Sequence, residues 1–296
     1  MCIFITGGGG FLGAWIIRRL NARGIDVRVF DRSEDRTLTQ EIVGAAATKL
    51  DWRVGDISSK EDVKKASQGC DFVIHLAALL TPDCSENPIL GANVNLIGTL
   101  NIFEAVKENK IRGVAYASSA GVFGPDDGAT PYPITHYGAF KLATEGSARA
   151  YWSESRIPSI GFRPLIIYGP GREVGLTAGP SIACREAAAG RPYTIGFSGA
   201  SDMIFVDDVA AAFEATVLKT FEGAHAFSLT GEVADVSDIV AGICNVIPDA
   251  NVGWNGPVLP IHPVIAPSAV EAILGPLPRT SLLDGLRKTI DYYQAG

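Results

Sequence analysis

The segment Thr6-Gly7-Gly8-Gly9-Gly10-Phe11-Leu12-Gly13 constrains this chain more than any other. It follows a short apolar run, Cys2-Ile3-Phe4-Ile5, and opens a helical pattern with Leu12, Ile16, Ile17 and Leu20 on one face. Gly7, Gly10 and Gly13 therefore stand at three-residue spacing on a strand-to-helix junction. Gly7 allows a tight turn, Gly10 lets the backbone approach a pyrophosphate, and Gly13 lets the helix lie close to the sheet. The helix N-terminus, at Phe11 and Leu12, then faces the anion.

The residues after this first helix agree with that use. Val27-Arg28-Val29-Phe30 reads as a second strand, and Asp31 closes it eighteen residues past Gly13. A carboxylate there can accept hydrogen bonds from the adenosine ribose hydroxyls, and it repels a 2′-phosphate. NAD is the expected cofactor and NADP the less favoured one, although Arg32 comes directly after and could pair with such a phosphate.

Strands and helices keep alternating. A helix is expected near 35–46, a strand near 50–54, a helix from Ser58 to Ser67 and the strand Phe72-Val73-Ile74-His75-Leu76. A long helix runs from Pro88 to about Asn109, then the strand Gly113-Val114-Ala115-Tyr116-Ala117. Nearly all-apolar strands joined by helical crossovers imply a parallel sheet covered on both faces. Past residue 165 Gly and Pro become frequent. Strand–helix pairs are still expected at 203–219 and 226–247, with a last helix near 280–294. The fold class is α/β: a doubly wound parallel sheet (Rossmann) with a small C-terminal α/β substrate lobe. The first domain spans 1–166 with returning elements at about 203–231, and the lobe spans 167–202 and 232–296.

Composition narrows the partners. At 47% hydrophobic and 19% charged the chain is of globular type. A formal charge of −7 supplies no basic stripe, so nucleic acid is not an expected partner. The five cysteines (Cys2, Cys70, Cys84, Cys184, Cys244) and four histidines are scattered. No metal site is expected, and a reducing compartment is. The apolar N-terminus lacks a basic leader and is broken by glycines, so no signal peptide is expected, and no stretch is expected to span a bilayer. These readings point to a soluble, cytoplasmic protein acting on a small molecule, with no membrane partner.

Tyr137-Gly138-Ala139-Phe140-Lys141 lies in a helical segment, His136 through Tyr151, and positions i and i+4 share a face. A phenol of reference pKa about 10 is a poor base, and a neighbouring ammonium lowers it toward working range. Tyr137 is expected to move a hydroxyl proton, Lys141 to tune it, and Ser119 to orient the alcohol or carbonyl from a strand end.

With these residues the chain resembles the extended short-chain dehydrogenase/reductase superfamily, the group often labelled NAD-dependent epimerase/dehydratase, almost end to end. The resemblance implies that Asp56 in Gly55-Asp56-Ile57 contacts adenine. It implies that Leu76, Ala77 and Ala78 line the cofactor, with Asn95 and Gly98-Thr99 on the helix beneath. Ser118-Ser119-Ala120-Gly121-Val122-Phe123-Gly124 resembles the family's serine strand end. Ser118 and Ser119 compete there for the catalytic role, and the position before Ala-x-Val-Phe-Gly favours Ser119. Ala117 and Ser118 are implied to line the cofactor, and Arg163-Pro164 through Tyr168-Gly169-Pro170, including Ile166, to pack on the nicotinamide. Val206-Asp207-Asp208-Val209 matches an element returning toward the sheet. A homodimer through the 88–109 helix and the Tyr137 helix is implied as well. His75 is expected to be a strand residue, His136 a helix-entry residue, and Asp207 and Asp208 helix N-terminal acids.

Departures from the family pattern shape the expected reaction. The sugar-nucleotide dehydratases carry a Thr-Asp-Glu acid pair after the serine, where this chain has Ala120-Gly121. The nucleotide-sugar epimerases place an Arg where Ser201 precedes Asp202. The substrate is expected to be smaller than a nucleotide sugar: a sugar, a sugar acid, or another hydroxy or keto compound. Arg172, Arg185 and Arg191 are the candidates for an anion site. The first expectation is an NAD-dependent dehydrogenase/reductase, the second a sugar or nucleotide-sugar epimerase, and the third a non-catalytic NAD-binding regulator.

Overall fold

The computed structural model describes residues 1–295; Gly296, the last residue of the expected C-terminal lobe, lies outside them. The strands are β1 (Cys2–Thr6), β2 (Asp26–Asp31), β3 (Asp51–Val54), β4 (Phe72–His75), β5 (Val114–Ala117), β6 (Ser159–Arg163), β7 (Ile166–Tyr168), β8 (Tyr193–Ile195), β9 (Ala200–Phe205), β10 (Ala224–Ser228), β11 (Glu232–Asp235) and β12 (Val252–Trp254). The main sheet has seven strands in the order β10-β6-β5-β4-β1-β2-β3, all parallel. The chain runs outward from β1 to β3 and then crosses to β4, so the connections leaving β1 and β4 diverge and open a crevice at their carboxyl ends.

Single-residue alternation explains the two covered faces. Ile3 and Ile5 point into one core cluster while Phe4 points into the other, and Phe72 and Ile74 divide from Val73 in the same way. On the first face, α1 (Phe11–Ala22) packs on α2 (Thr37–Val43) and on a later helix, Val206–Leu218. On the second, α3 (Lys60–Ser67) lies against Gly98–Glu108. A short α4 (Thr81–Glu86) precedes α5 (Pro88–Glu108), and α6 (His136–Ser155) carries the tyrosine and lysine. The remaining helices are α7 (Gly179–Ala188), α8 (Val206–Leu218), α9 (Val236–Val246), α10 (Val270–Leu274) and α11 (Leu282–Ala295).

Several expectations are adjusted by local backbone. The helix expected near 35–46 ends at Val43 because Gly44 takes φ +76, and a 3-10 turn continues to Lys49. The Tyr137 helix runs on to Ser155 and stops at Arg156 in the left-handed conformation. Strand β9, around the Met203 run, joins a separate three-stranded sheet, β11-β9-β7, while β10 adds to the edge of the main sheet. The expectation of no span-length apolar stretch is corrected: Pro88–Glu108, 21 residues, is long and apolar enough to cross a bilayer. Half of its most apolar stretch is buried in the fold, where Asn95 and Asn101 are hydrogen-bonded to the Leu79 and Ile57 backbones.

Candidate active site

The glycine loop is held by contacts that side chains would break. Gly7 has φ +69, and a Cβ on it would lie 2.8 Å from the Ala77 nitrogen. A Cβ on Gly13 would lie 2.6 Å from the Gly7 oxygen. Gly10 differs: only the Gly7 oxygen, at 3.3 Å, comes near its added Cβ, so the loop is open there, above the first N–H groups of α1. At the end of β2 the Asp31 carboxylate accepts from the Gly9 N–H at 3.1 Å and the Arg32 N–H at 2.7 Å, which fixes it at the loop mouth. Arg32 is exposed. Asp56 is exposed and accepts from the Ser58 N–H at 2.8 Å, while Ile57 is buried beneath Gly98. These features fit a dinucleotide laid across the carboxyl ends of β1, β2 and β4.

At the end of β4 a buried hydrogen-bond chain sets the next loop. Thr99 Oγ1 donates to the Asn95 carbonyl at 2.6 Å, so it accepts from His75 Nε2 at 3.0 Å. His75 Nδ1 is then the acceptor for the Thr6 hydroxyl at 2.7 Å, and that hydroxyl accepts from the Leu76 and Ala77 N–H groups. Burial holds His75 down to about 3, with the Lys141 charge adding to the effect, so the ring is neutral. The Asn95 amide is spent on Leu79: Oδ1 accepts from its N–H at 2.7 Å and Nδ2 donates to its carbonyl at 2.9 Å. Asn95 thus holds the 76–80 loop from below, and Ala78 rides on that loop.

The two serines part company at the end of β5. Ser118 is buried and donates to Glu145 at 2.6 Å, and Glu145 is doubly hydrogen-bonded to Arg163. Ser119 instead opens a 3-10 turn, Ala120–Val122, accepts from the Gly121 N–H at 3.0 Å and lines a cavity. The start of α6 can lie on that turn because position 138 is glycine: a Cβ there would meet the Gly121 oxygen at 2.2 Å. This contact brings Tyr137 to Ser119. Lys141 is buried one turn on, its Nζ donating to the Ala117 carbonyl at 2.7 Å and standing 5.5 Å from the Tyr137 ring centre.

The electrostatics differ from the sequence expectation. Burial pushes the Tyr137 phenol up rather than down, and the opposing pulls come from the Ser119 hydrogen bond and the Arg172 charge. Lys141 is pushed down to about 8 by burial. Its direct lowering of the phenol is therefore not found. The ammonium is spent on a backbone carbonyl, and a desolvated phenolate is costly in a site this enclosed.

The cavity, about 150 Å³, is walled by Ser119, Tyr137 and Arg172 together with the 80–82 and 259–261 segments. Arg172 donates to Thr177 Oγ1 at 3.3 Å and lies 5.5 Å from the Phe11 ring centre. Its Nε is out of solvent without a partner. Of the other arginines considered, Arg185 is paired with Glu173 and Glu186, and Arg191 with Glu186. Nothing in the sequence singled out Arg172 among the three beyond its place after Gly169-Pro170-Gly171. In the 163–170 segment Pro164 is buried and its carbonyl accepts from the Ala120 N–H at 3.0 Å. Ile166 points into the main core, and its neighbour Leu165 takes the cavity side. Asp207 meets Arg19, and Asp208 accepts from Thr280, both in the first turn of α8. Asp202 is buried against the Gly231 N–H.

A family model described as the NAD dependent epimerase/dehydratase family matches residues 3–229. The 2-alkyl-3-oxoalkanoate reductase of Shewanella oneidensis is 31% identical over 235 residues, which is 73% of this chain and 57% of that protein. The human sterol-4-alpha-carboxylate 3-dehydrogenase, decarboxylating, is 32% identical over 178 residues, 56% of this chain and 44% of that protein. The matches thus span little more than half, or less, of these relatives' lengths. The crystal structure of Thermus thermophilus UDP-glucose 4-epimerase in complex with NAD is 26% identical and superposes with a TM-score of 0.84, covering 99% of each chain. With a glycine loop, a carboxylate fixed at its mouth and a tyrosine–lysine helix, the chain belongs to the NAD-dependent epimerase/dehydratase family.

Proposed function

We propose that this protein is an NAD-dependent oxidoreductase that moves a hydride between the nicotinamide and a small hydroxy or keto substrate, a sugar or sugar acid being the first class to assay. The observation that carries the reading is the convergence of Ser119 and Tyr137 on one cavity, with Lys141 buried behind them. When bound, the nicotinamide supplies the hydride acceptor or donor. Ser119 Oγ holds the substrate oxygen, and the Tyr137 hydroxyl takes or returns its proton. Lys141, anchored on the Ala117 carbonyl, keeps a positive charge behind the phenol. Asp31 supports NAD over NADP by charge. The missing carboxylate at Ala120-Gly121 speaks against water elimination.

The test is direct. The purified protein is loaded with NAD, and NADH absorbance is followed with sugars, sugar acids and simple hydroxy acids. Net NADH with one class, abolished in Tyr137→Phe, supports the reading. Turnover that survives Tyr137→Phe overturns it.

Epimerisation is the second reading, favoured by end-to-end likeness to the NAD complex of a UDP-glucose 4-epimerase. It gives isomer exchange without net NADH. Ile89, Leu90 and Ile97, exposed on α5, support a homodimer built on that helix and α6. The acidic charge and scattered cysteines support a cytoplasmic setting.

A further inference from the structure

Arg172 is a guanidinium that meets no protein anion among the described residues. Its Nε is shielded from water and unpaired, and its one side-chain hydrogen bond goes to the neutral Thr177. The titrating group that acts on it is the Tyr137 phenol. Its sequence neighbour Glu173 is turned away to Arg185 and Tyr293. A half-buried cation with no anionic partner is costly, and such a site is completed by an anion that arrives with the ligand. The rest of the cavity wall has the opposite character. Its apolar side chains include Leu80, Pro82, Ile134, Leu165, Leu259 and Ile261, its further hydroxyls are those of Thr81, Thr135 and Thr177, and no Asp, Glu, Asn, Gln or His side chain among the described residues lines it. A polyol needs several fixed donors and acceptors when it leaves water, and these walls offer few. At the rim, Ile134 and Leu176 are 54% and 59% exposed, which leaves apolar surface for a substituent that extends outward.

We infer that the substrate is an apolar hydroxy or keto acid whose carboxylate pairs with Arg172 while its carbinol or carbonyl oxygen meets Ser119 and Tyr137. This rests on the oxidoreductase reading for the oxygen end, but the carboxylate and apolar halves stand on the cavity itself. Because Arg172 and Tyr137 share one cavity of about 150 Å³, the two oxygen functions lie within a few bonds of each other. The other anion within reach is the cofactor diphosphate, since Phe11, beside Arg172, opens α1.

Binding without turnover tests the site. Calorimetry on the NAD-loaded protein compares isovalerate, methyl isovalerate and gluconate, none of which needs to react. Isovalerate is expected to bind at least about tenfold tighter than its ester and tighter than gluconate, and Arg172→Met to weaken it about 30-fold, in line with loss of a charge-assisted hydrogen bond. Arg172→Lys should recover part of that loss. Equal binding of acid and ester overturns the anion site, and tighter gluconate overturns the apolar half. If Arg172→Met weakens NADH binding by fluorescence and leaves isovalerate unchanged, the guanidinium belongs to the diphosphate and the inference fails. Failure of the oxidoreductase reading appears separately, as isovalerate binding with no alcohol or acid yielding NADH or isomer exchange.

Discussion

The Lys141 ammonium donates to the Ala117 carbonyl at 2.7 Å and does not reach the Tyr137 hydroxyl, although the two side chains share a face of α6. The lysine is therefore held beside the phenol ring rather than bonded to its oxygen, and its charge is itself titratable in the working range.

That gives a pH prediction. Burial lowers Lys141 to about 8, so the charge is present below that pH and lost above it. The kcat/KM profile should show an alkaline limb near this value. In Lys141→Met the overall rate should fall by about a hundredfold or more, the upper range of acid–base contributions, and that limb should vanish. An alkaline limb that persists in the variant assigns it to another group.

Ser118 and Ser119 should separate cleanly. Ser118 bonds to Glu145, so Ser118→Ala is expected to cost about 1 kcal/mol and leave turnover near wild type. Ser119 caps the Gly121 N–H and bonds the Tyr137 phenol, so its alanine variant should also melt within about 1 kcal/mol of wild type, yet lose at least about tenfold in kcat. Glu145→Ala leaves the Arg163 guanidinium unpaired in the interior and should cost about 3–5 kcal/mol. Urea melts beside initial rates decide all three, and a Ser118→Ala variant as inactive as Ser119→Ala contradicts the division of roles.

Legibility in the sequence tracked the range of the interaction. The glycine loop, the alternation of strands and helices and the i, i+4 pairing of Tyr137 with Lys141 are local, so residue type and spacing carried them. The partition of the strands after Tyr168 was not local. Whether β9 or β10 joins the main sheet depends on which edge is free beside β6, and spacing does not encode that. The approach of Arg172 to Tyr137 is set by a loop folding over from beyond β7. The upward push on the Tyr137 phenol comes from burial that no pair of neighbouring letters displays. For the same reason Ile166 and Leu165 exchange places relative to the resemblance: strand parity decides which one faces the cavity.

His75 makes a stability prediction. Its folded value, about 3, lies below the unfolded reference of about 6.5. Between those values the unfolded chain binds the proton and the native ring does not, so this residue removes stability as pH falls through the window. The slope is about 1.4 kcal/mol per pH unit. His75→Gln should be less stable at neutral pH, because the Thr6–Thr99 chain is disturbed, but should lose stability less steeply between about pH 6 and pH 4. Equal slopes in wild type and variant would place the proton uptake elsewhere.

Gly10 and Gly13 test the loop as a ligand site rather than a turn. Gly10 has φ −82 and ψ 172, which alanine adopts freely, and only the Gly7 oxygen stands within 4 Å of an added Cβ. Gly10→Ala should therefore fold within about 1 kcal/mol of wild type. The methyl group projects into the space above the α1 N-terminus, so NAD affinity should drop at least about tenfold, as displacement of an anion from its N–H donors requires. Gly13→Ala is different in kind: its Cβ would meet Gly7 and Gly8 backbone atoms at 2.6–2.9 Å, so it should lose both binding and about 1–3 kcal/mol of stability. NADH fluorescence titrations read beside urea melts separate the two outcomes. A Gly10→Ala protein that folds normally and binds NAD normally would show that the dinucleotide does not lie over this loop.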